Sequence, residues 1–243
     1  MRLLLGLAAL TCLGAGWNGK AFPDWNDDAV MRMLVDSPWA HTRTVRILWY
    51  GPKEAERAIT YRDVPGTQQG PGGSTVQGGS PVGGIGSGKI RNRLPERAHL
   101  IFRWSSALPV RQAKALYRAR DAQKRDARKK TDPGAVAVEP RPSTYAFEIF
   151  GIPAGAAHVG TEAIAARLKA SASMRTKSGR EIRPERVSIE VSGDVLSATV
   201  YFPRDEALAA KDEEVEVSGN IEILEFSERF RLRDMQYVDG LEL

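Results

Sequence analysis

The chain is nearly without cysteine. Of 243 residues one is Cys, at position 12 inside an apolar run at the amino terminus; with that run removed, no residue remains to form a disulfide, a thiolate metal site or a cysteine nucleophile. Histidine is scarce as well: His41, His99 and His158 stand far apart, none with a His, Cys or Glu at metal-ligand spacing. No G-x-S-x-G frame occurs, since Ser74, Ser80 and Ser87 lie among glycines without it and Ser105-Ser106 has no histidine nearby. The sequence therefore assigns no catalytic, metal or cofactor-binding residue. Aromatics make up 7% of the chain, and no second apolar run approaches the ~20 residues of a membrane span.

What is present begins with the pattern of an export signal. Met1 and Arg2 precede an apolar run from Leu3 to Leu13, interrupted only by Gly6, Thr11 and Cys12, and Gly14, Ala15 and Gly16 follow. A positive start, roughly ten apolar residues and small residues at a cleavage site are the features of a secretory leader. Residues 1–16 are expected to be a signal peptide, cut between 15 and 21, and the mature chain to be periplasmic or secreted. The alternative, a lipoprotein acylated at Cys12, meets Thr11 where a small residue belongs and Ala9 where Leu is usual.

The mature part, residues 22–243, is 42% hydrophobic and 27% charged by whole-chain composition, enough for one α+β domain with a real core. Asp24 or Asn26 can cap a helix with Asp27 and Asp28 in its first turn and Val30, Met31 and Leu34 at helical spacing. Ser37-Pro38 stops it, and residues 42–50 read as a strand. Trp25, Trp39 and Trp49 are read as anchors of this helix on a sheet in preference to an aromatic surface for sugar or peptide.

Residues 64–93 hold ten of the 23 glycines among Pro, Ser, Gln and Thr, a composition expected to form a disordered insertion. Within it, Gly83-Gly84-Ile85-Gly86-Ser87-Gly88-Lys89-Ile90 follows the phosphate-loop pattern G-x-x-x-x-G-K, but Ile90 has no hydroxyl for magnesium and no strand and helix flank it.

Residues 98–104 read as a strand and Pro109 as a helix start, with Val110, Ala113, Leu116 and Tyr117 forming its apolar stripe. Beyond Tyr117 the helix turns cationic: Arg118, Arg120, Lys124, Arg125, Arg128, Lys129 and Lys130 stand against Asp121 and Asp126. We expect residues 118–134 to be a projecting basic helix end. Solvation alone explains most charge runs; the functional reading is contact with an anionic partner through Arg118, Lys124, Arg125, Arg128, Lys129 and Lys130. Nucleic acid is excluded by export and by the lack of interleaved aromatics. The region around 205–228 is acidic and could meet this tract.

Strand 143–150, helix 161–174 with Thr161 as its cap, a hairpin of 186–192 and 195–202 about Gly193-Asp194, and an alternating ribbon from Val215 to Leu232 turning at Gly219-Asn220 complete the pattern. The acidic residues are expected on solvated strand faces, Glu148 at an exposed edge. The fold class is α+β, a largely antiparallel sheet with two or three covering helices and a long glycine-rich loop.

Trp25, Val30, Met33, Leu34, Ser37, Pro38, Trp39 and Ala40 together resemble a family of uncharacterised exported bacterial proteins. The residues from Arg103 to Arg111, Tyr201-Phe202-Pro203-Arg204 and the run from Phe230 to Met235 extend the likeness. The resemblance implies export and a shared fold; the family has no assigned activity, so no site residue follows from it.

The expected role is that of a non-enzymatic binding or structural protein of the cell envelope, its partner an anionic envelope component or another protein. The alternative is an extracytoplasmic hydrolase whose site assembles only in three dimensions. One prediction follows from the insertion: deleting residues 68–88 should leave the melting temperature nearly unchanged, since closing a shorter flexible loop alters entropy by about 0.6 kcal/mol per halving; a large drop in a calorimetric scan would show that the segment packs.

Overall fold

A computed structural model describes residues 21–47, 97–126, 133–205, 207–221, 224–238 and 240–243. The expected leader with Cys12, the glycine-rich insertion, Trp49, and Arg128, Lys129 and Lys130 lie outside the described residues.

Asn26, rather than Asp24, caps the first helix, α1 (Asp27–Val35), its side chain accepting from the Ala29 amide at 2.8 Å. Asp27 and Asp28 sit in the first turn, where the positive end of the helix dipole favours carboxylates. Ser37 Oγ donates to the Met33 carbonyl at 2.9 Å, closing the helix before Pro38. The chain then enters β1 (Ala40–Arg46), and after the undescribed stretch come β2 (Arg97–Trp104), α2 (Leu108–Arg125) and β3 (Tyr145–Pro153).

Next come α3 (Thr161–Ser171), β4 (Ser173–Thr176) and β5 (Glu181–Ile182). The helix expected to reach Met174 ends early because Ser171 Oγ both donates to the Asn220 carbonyl and accepts from the Asn220 amide, each at 2.9 Å. Met174 is thereby released to pair in a strand with Val217. Gly160, not Thr161, occupies the cap position, with φ +89°. The expected hairpin is present as β6 (Arg186–Ser192) and β7 (Val195–Phe202), with Gly193 at φ +58°.

The ribbon is β8 (Glu214–Asn220) and β9 (Glu225–Arg231), but its connection is centred three residues later than expected, closed by the Ile221 amide on the Leu224 carbonyl at 2.9 Å. Gly219 stays in the strand because the Phe226 ring opposite and Leu168 of α3 lie where its side chain would be; a Cβ there would come within 2.9 Å of the ring. Two short strands, β10 (Gln236–Tyr237) and β11 (Gly240–Leu241), end the chain.

All described strand pairs are antiparallel, in a five-stranded sheet ordered β1-β2-β3-β7-β6, a four-stranded sheet ordered β5-β4-β8-β9, and the β10-β11 pair. The fold is α+β. Strand alternation sends Phe102 and Trp104 of β2 and Phe147 of β3 to one face, where they meet Phe226 and Phe230 of β9 at centroid distances of 5.4–5.8 Å. The two sheets share this aromatic core.

Trp25 and Trp39 are both 1% exposed and pack edge-on against Tyr237, and the Trp39 indole donates to the Glu242 carbonyl at 2.6 Å. They anchor α1 to the carboxy-terminal strands. Among the described residues no helix is long and apolar enough to cross a membrane.

The register of β3 against β7 shifts between Phe150 and Ile152. The extra residue, Gly151, has φ +92°, and a Cβ on it would sit 2.6 Å from the His99 carbonyl oxygen. Gly151→Ala should therefore cost roughly 2–4 kcal/mol in urea unfolding. Gly179→Ala, at the same sign of φ but with open space around it, should cost about 1–2 kcal/mol; equal losses would contradict the bulge as the cause.

Candidate functional site

The outer face of the five-stranded sheet is where chemistry gathers. Residues alternating away from the aromatic core place Arg103 of β2 beside Glu148 of β3, cross-strand partners in the sheet register, with Thr199 of β7 next in line. Because β3 is the central strand, Glu148 is not at an edge, as the sequence suggested, but 7% exposed. An ionised carboxylate so placed needs partners. Arg103 supplies two, Nε to Oε2 at 2.9 Å and Nη2 to Oε1 at 2.8 Å, and Lys114 of α2 donates a third. Arg103 also reaches the Leu34 carbonyl at the end of α1, at 3.5 Å.

Burial alone would push the Glu148 carboxyl up; hydrogen bonds and charge from Arg103, then Lys114, outweigh it and hold it at about 2. Lys114 is moved below the ordinary lysine range, chiefly by burial and against the pull of Glu148.

On α2 the residues Val110, Ala113 and Leu116 are buried, while Arg111, Lys114 and Arg118, spaced three and four apart, share the other face. That face, the segment 136–142 and the sheet enclose a groove of about 560 Å³. Its sheet side carries Ser197, Thr199 and Tyr201 of β7 with Glu148 at the floor. Arg111 donates Nε to the Ser106 carbonyl at 3.0 Å and Nη1 to the Glu139 carbonyl; Arg118 pairs with the Glu139 carboxylate at 2.6 Å.

Of the residues expected to meet an anionic partner, Arg118 lines this groove. Lys124 lies 3.3 Å from Asp27, which Arg120 also meets at 2.9 Å, and Arg125 pairs with Asp121 one turn back at 2.9 Å. Lys124 is the main reason the Asp27 carboxyl sits below its ordinary value. The acidic 205–228 region does not meet this tract among the described residues; it pairs with other cations, Asp212 with Arg180, Glu213 with Lys177 and Glu216 with Arg229. Nor is Glu228 on a solvated face: it is 7% exposed, held by Arg43 at 3.2 Å and by His41 at 3.4 Å, and His41 stacks on Phe230. His99 bonds Thr44 at 3.0 Å. Neither histidine lines the groove.

Sequence reasoning overlooked the Arg103, Glu148 and Lys114 cluster, although a signal existed. Glu148 is the one charged residue of Tyr145–Pro153, and Arg103 stands in the apolar half of Arg97–Trp104, beyond Arg97 and His99; a charge set in such an apolar run calls for an opposite charge on a neighbour.

Glu148→Gln removes the carboxylate and leaves Arg103 buried without its counter-charge, a loss of roughly 3–5 kcal/mol near neutral pH. The sign with pH follows from the lowered pKa: the stability Glu148 contributes is complete above about 4.5 and is lost as pH falls from there toward about 2. Urea unfolding across that window should show the wild type losing roughly 3 kcal/mol that the variant does not lose; parallel curves would contradict the assignment.

Comparison with known proteins finds no matching family model, no matching curated protein and no matching solved structure.

Proposed function

We propose that this is an exported, non-enzymatic binding protein whose partner is an anionic polymer of the cell envelope, held along α2 and in the groove beside it. The observation that carries the reading is the charge balance at the groove floor. Arg103 and Lys114 set two positive charges against the single negative charge of Glu148; with Arg111 and Arg118 on the groove wall matched in number by Glu139 and Glu190, one cation is in excess in a half-dry place. Of the three ammonium protons of Lys114, Glu148 takes one. An anion entering the groove would accept from the others, and its charge would oppose the effect of burial that lowers the Lys114 pKa.

Hydroxyls of Ser197, Thr199 and Tyr201 on the opposite wall suit a polymer that carries hydroxyl groups between its charges. Along α2, Arg125, one heptad beyond Arg118, continues the positive face, Lys124 lies on the side toward Asp27, and Arg128, Lys129 and Lys130 follow in sequence. Their pairs with Glu139, Asp27 and Asp121 are exposed and worth about 0–1 kcal/mol each, so a polyanion displaces them at small cost. Glu148 itself is a poor general base, since two cations keep it ionised at about 2, which favours binding over hydrolysis.

Replacing Arg118, Lys124, Arg125, Arg128, Lys129 and Lys130 together by Gln should reduce cosedimentation with isolated cell envelopes roughly tenfold at low salt, and wild-type binding should fall steadily as salt rises. Unchanged sedimentation of the variant, or salt-insensitive binding of the wild type, would end the reading.

A further inference from the structure

The five-stranded sheet ends at β6, which pairs with β7 on one side and with no described strand on the other. The direction of its unused main-chain groups follows from the hairpin. A two-residue connection at Gly193-Asp194 makes Ser192 and Val195 a hydrogen-bonded pair, so Arg186, Ser188, Glu190 and Ser192 turn their amides and carbonyls toward β7. Those of Val187, Ile189 and Val191 point away from the sheet and meet no main-chain or side-chain partner among the described residues. α3 packs against β6 from the inner face and makes no hydrogen bond to them. Such an edge is a template for another strand, and proteins commonly blunt one with lysine or proline. β6 has neither.

The side chains of β6 decide which strand fits. Arg186, Ser188 and Glu190 stand on the outer face, opposite Tyr201, Thr199 and Ser197. Arg186 lies over the Tyr201 ring, 3.6 Å from its centroid, and Ser188 Oγ donates to the Tyr201 hydroxyl at 3.4 Å. Neither Arg186 nor Glu190 makes an ion pair among the described residues. Four residues apart on one strand, they lie about 13 Å from each other and cannot pair within the chain. They are placed symmetrically about Ser188. On the inner face Val187 and Ile189 are half-buried and Val191 is 53% exposed.

We infer that two copies of this chain pair through β6, antiparallel about a two-fold axis at Ser188. In that register Arg186 of each copy stands opposite Glu190 of the other, and Val187 opposite Ile189. The Arg–Glu pairs fall at non-hydrogen-bonded positions, where facing side chains approach most closely, and the two Val–Ile pairs carry the main-chain hydrogen bonds. A register centred on Ile189 would set Arg186 against Ser192 and Glu190 against Ser188, matching no charge directly. The other edge of the sheet, β1, is not self-complementary, since it carries Arg43 and Arg46 and no carboxylate. Pairing of β6 with its own copy closes at a dimer and joins two five-stranded sheets into one. Glu190 lines the groove, so the second copy brings its Arg186 to the groove wall and cancels that carboxylate's charge. The inference stands without the polymer, which would gain from it two grooves on one surface.

Sedimentation equilibrium of the purified protein up to about 1 mM should show a reversible monomer–dimer equilibrium, weak because the interface is small. Arg186→Glu and Glu190→Arg each set two like-charged pairs across the axis and should each weaken the dimer at least about tenfold. An equimolar mixture of the two variants restores both opposite-charge pairs in a mixed dimer and should associate within about threefold of the wild type. Recovery in the mixture also shows that both variants fold. A wild type that stays monomeric over the range, growth beyond the dimer, a dimer that neither substitution weakens, or a mixture no tighter than its parts would overturn the inference. A dimer that fails to sediment with envelopes would refute the polymer and leave the pairing standing.

Discussion

Three charged side chains on three elements hold the outer face of the main sheet together. Arg103 on β2, Glu148 on β3 and Lys114 on α2 meet in a place where none could stand alone, and Arg103 extends the network to the carboxy-terminal end of α1 through the Leu34 carbonyl. α2 packs chiefly against α1, and the bond from Lys114 to the buried Glu148 carboxylate ties it directionally to the sheet. From that position follow the spacing between α2 and β7, the groove between them, and the presentation of Arg111 and Arg118 on its wall. The opposite face is packed mainly by aromatic surface. There Phe102, Trp104 and Phe147 meet Phe226 and Phe230, and burial of aromatic surface carries the packing. A second charged cluster, Glu228 with Arg43 and His41, ties β9 to β1.

Local signals were legible in the sequence where the chemistry is local. Gly193-Asp194 marks the β6–β7 hairpin because a tight turn needs a left-handed residue, and Ser37-Pro38 marks the end of α1 because proline constrains its predecessor. Val110, Ala113 and Leu116 give the buried stripe of α2, while Tyr117, expected on that stripe, is half exposed. Signals that depend on distant neighbours were misread. Gly219 has the composition of a turn, yet it is a strand residue that makes room for Phe226, a cross-strand contact with no trace in local pattern. Met174 sits at helical spacing, but pairing with Val217 outweighs that periodicity.

The candidate site was less legible than the fold for the same reason. Whether Glu148 lies at an edge or in the middle of a sheet depends on strand order, which pattern does not reveal, and its two cations come from 45 and 34 residues away. The basic tract of α2 was visible as composition, but its internal partners were not: Asp27 lies 97 residues from Lys124. What the sequence presented as a helix cationic nearly all round beyond Tyr117 has, as far as Arg125, exposed and exchangeable pairs on that half, while the deep, fixed pair of Lys114 lies in its first half. That division suits a surface that recruits a polyanion loosely and reads part of it closely.

The central claim is that Glu148 is an ionised carboxylate clamped between a buried cation, Arg103, and a half-buried one, Lys114. A carbon-13 NMR titration of its carboxyl carbon reads this directly. The account predicts an apparent pKa of about 2, well below the ordinary glutamate value; a midpoint at or above that ordinary value would mean that the clamp does not form and that α2 is held to the sheet by something else.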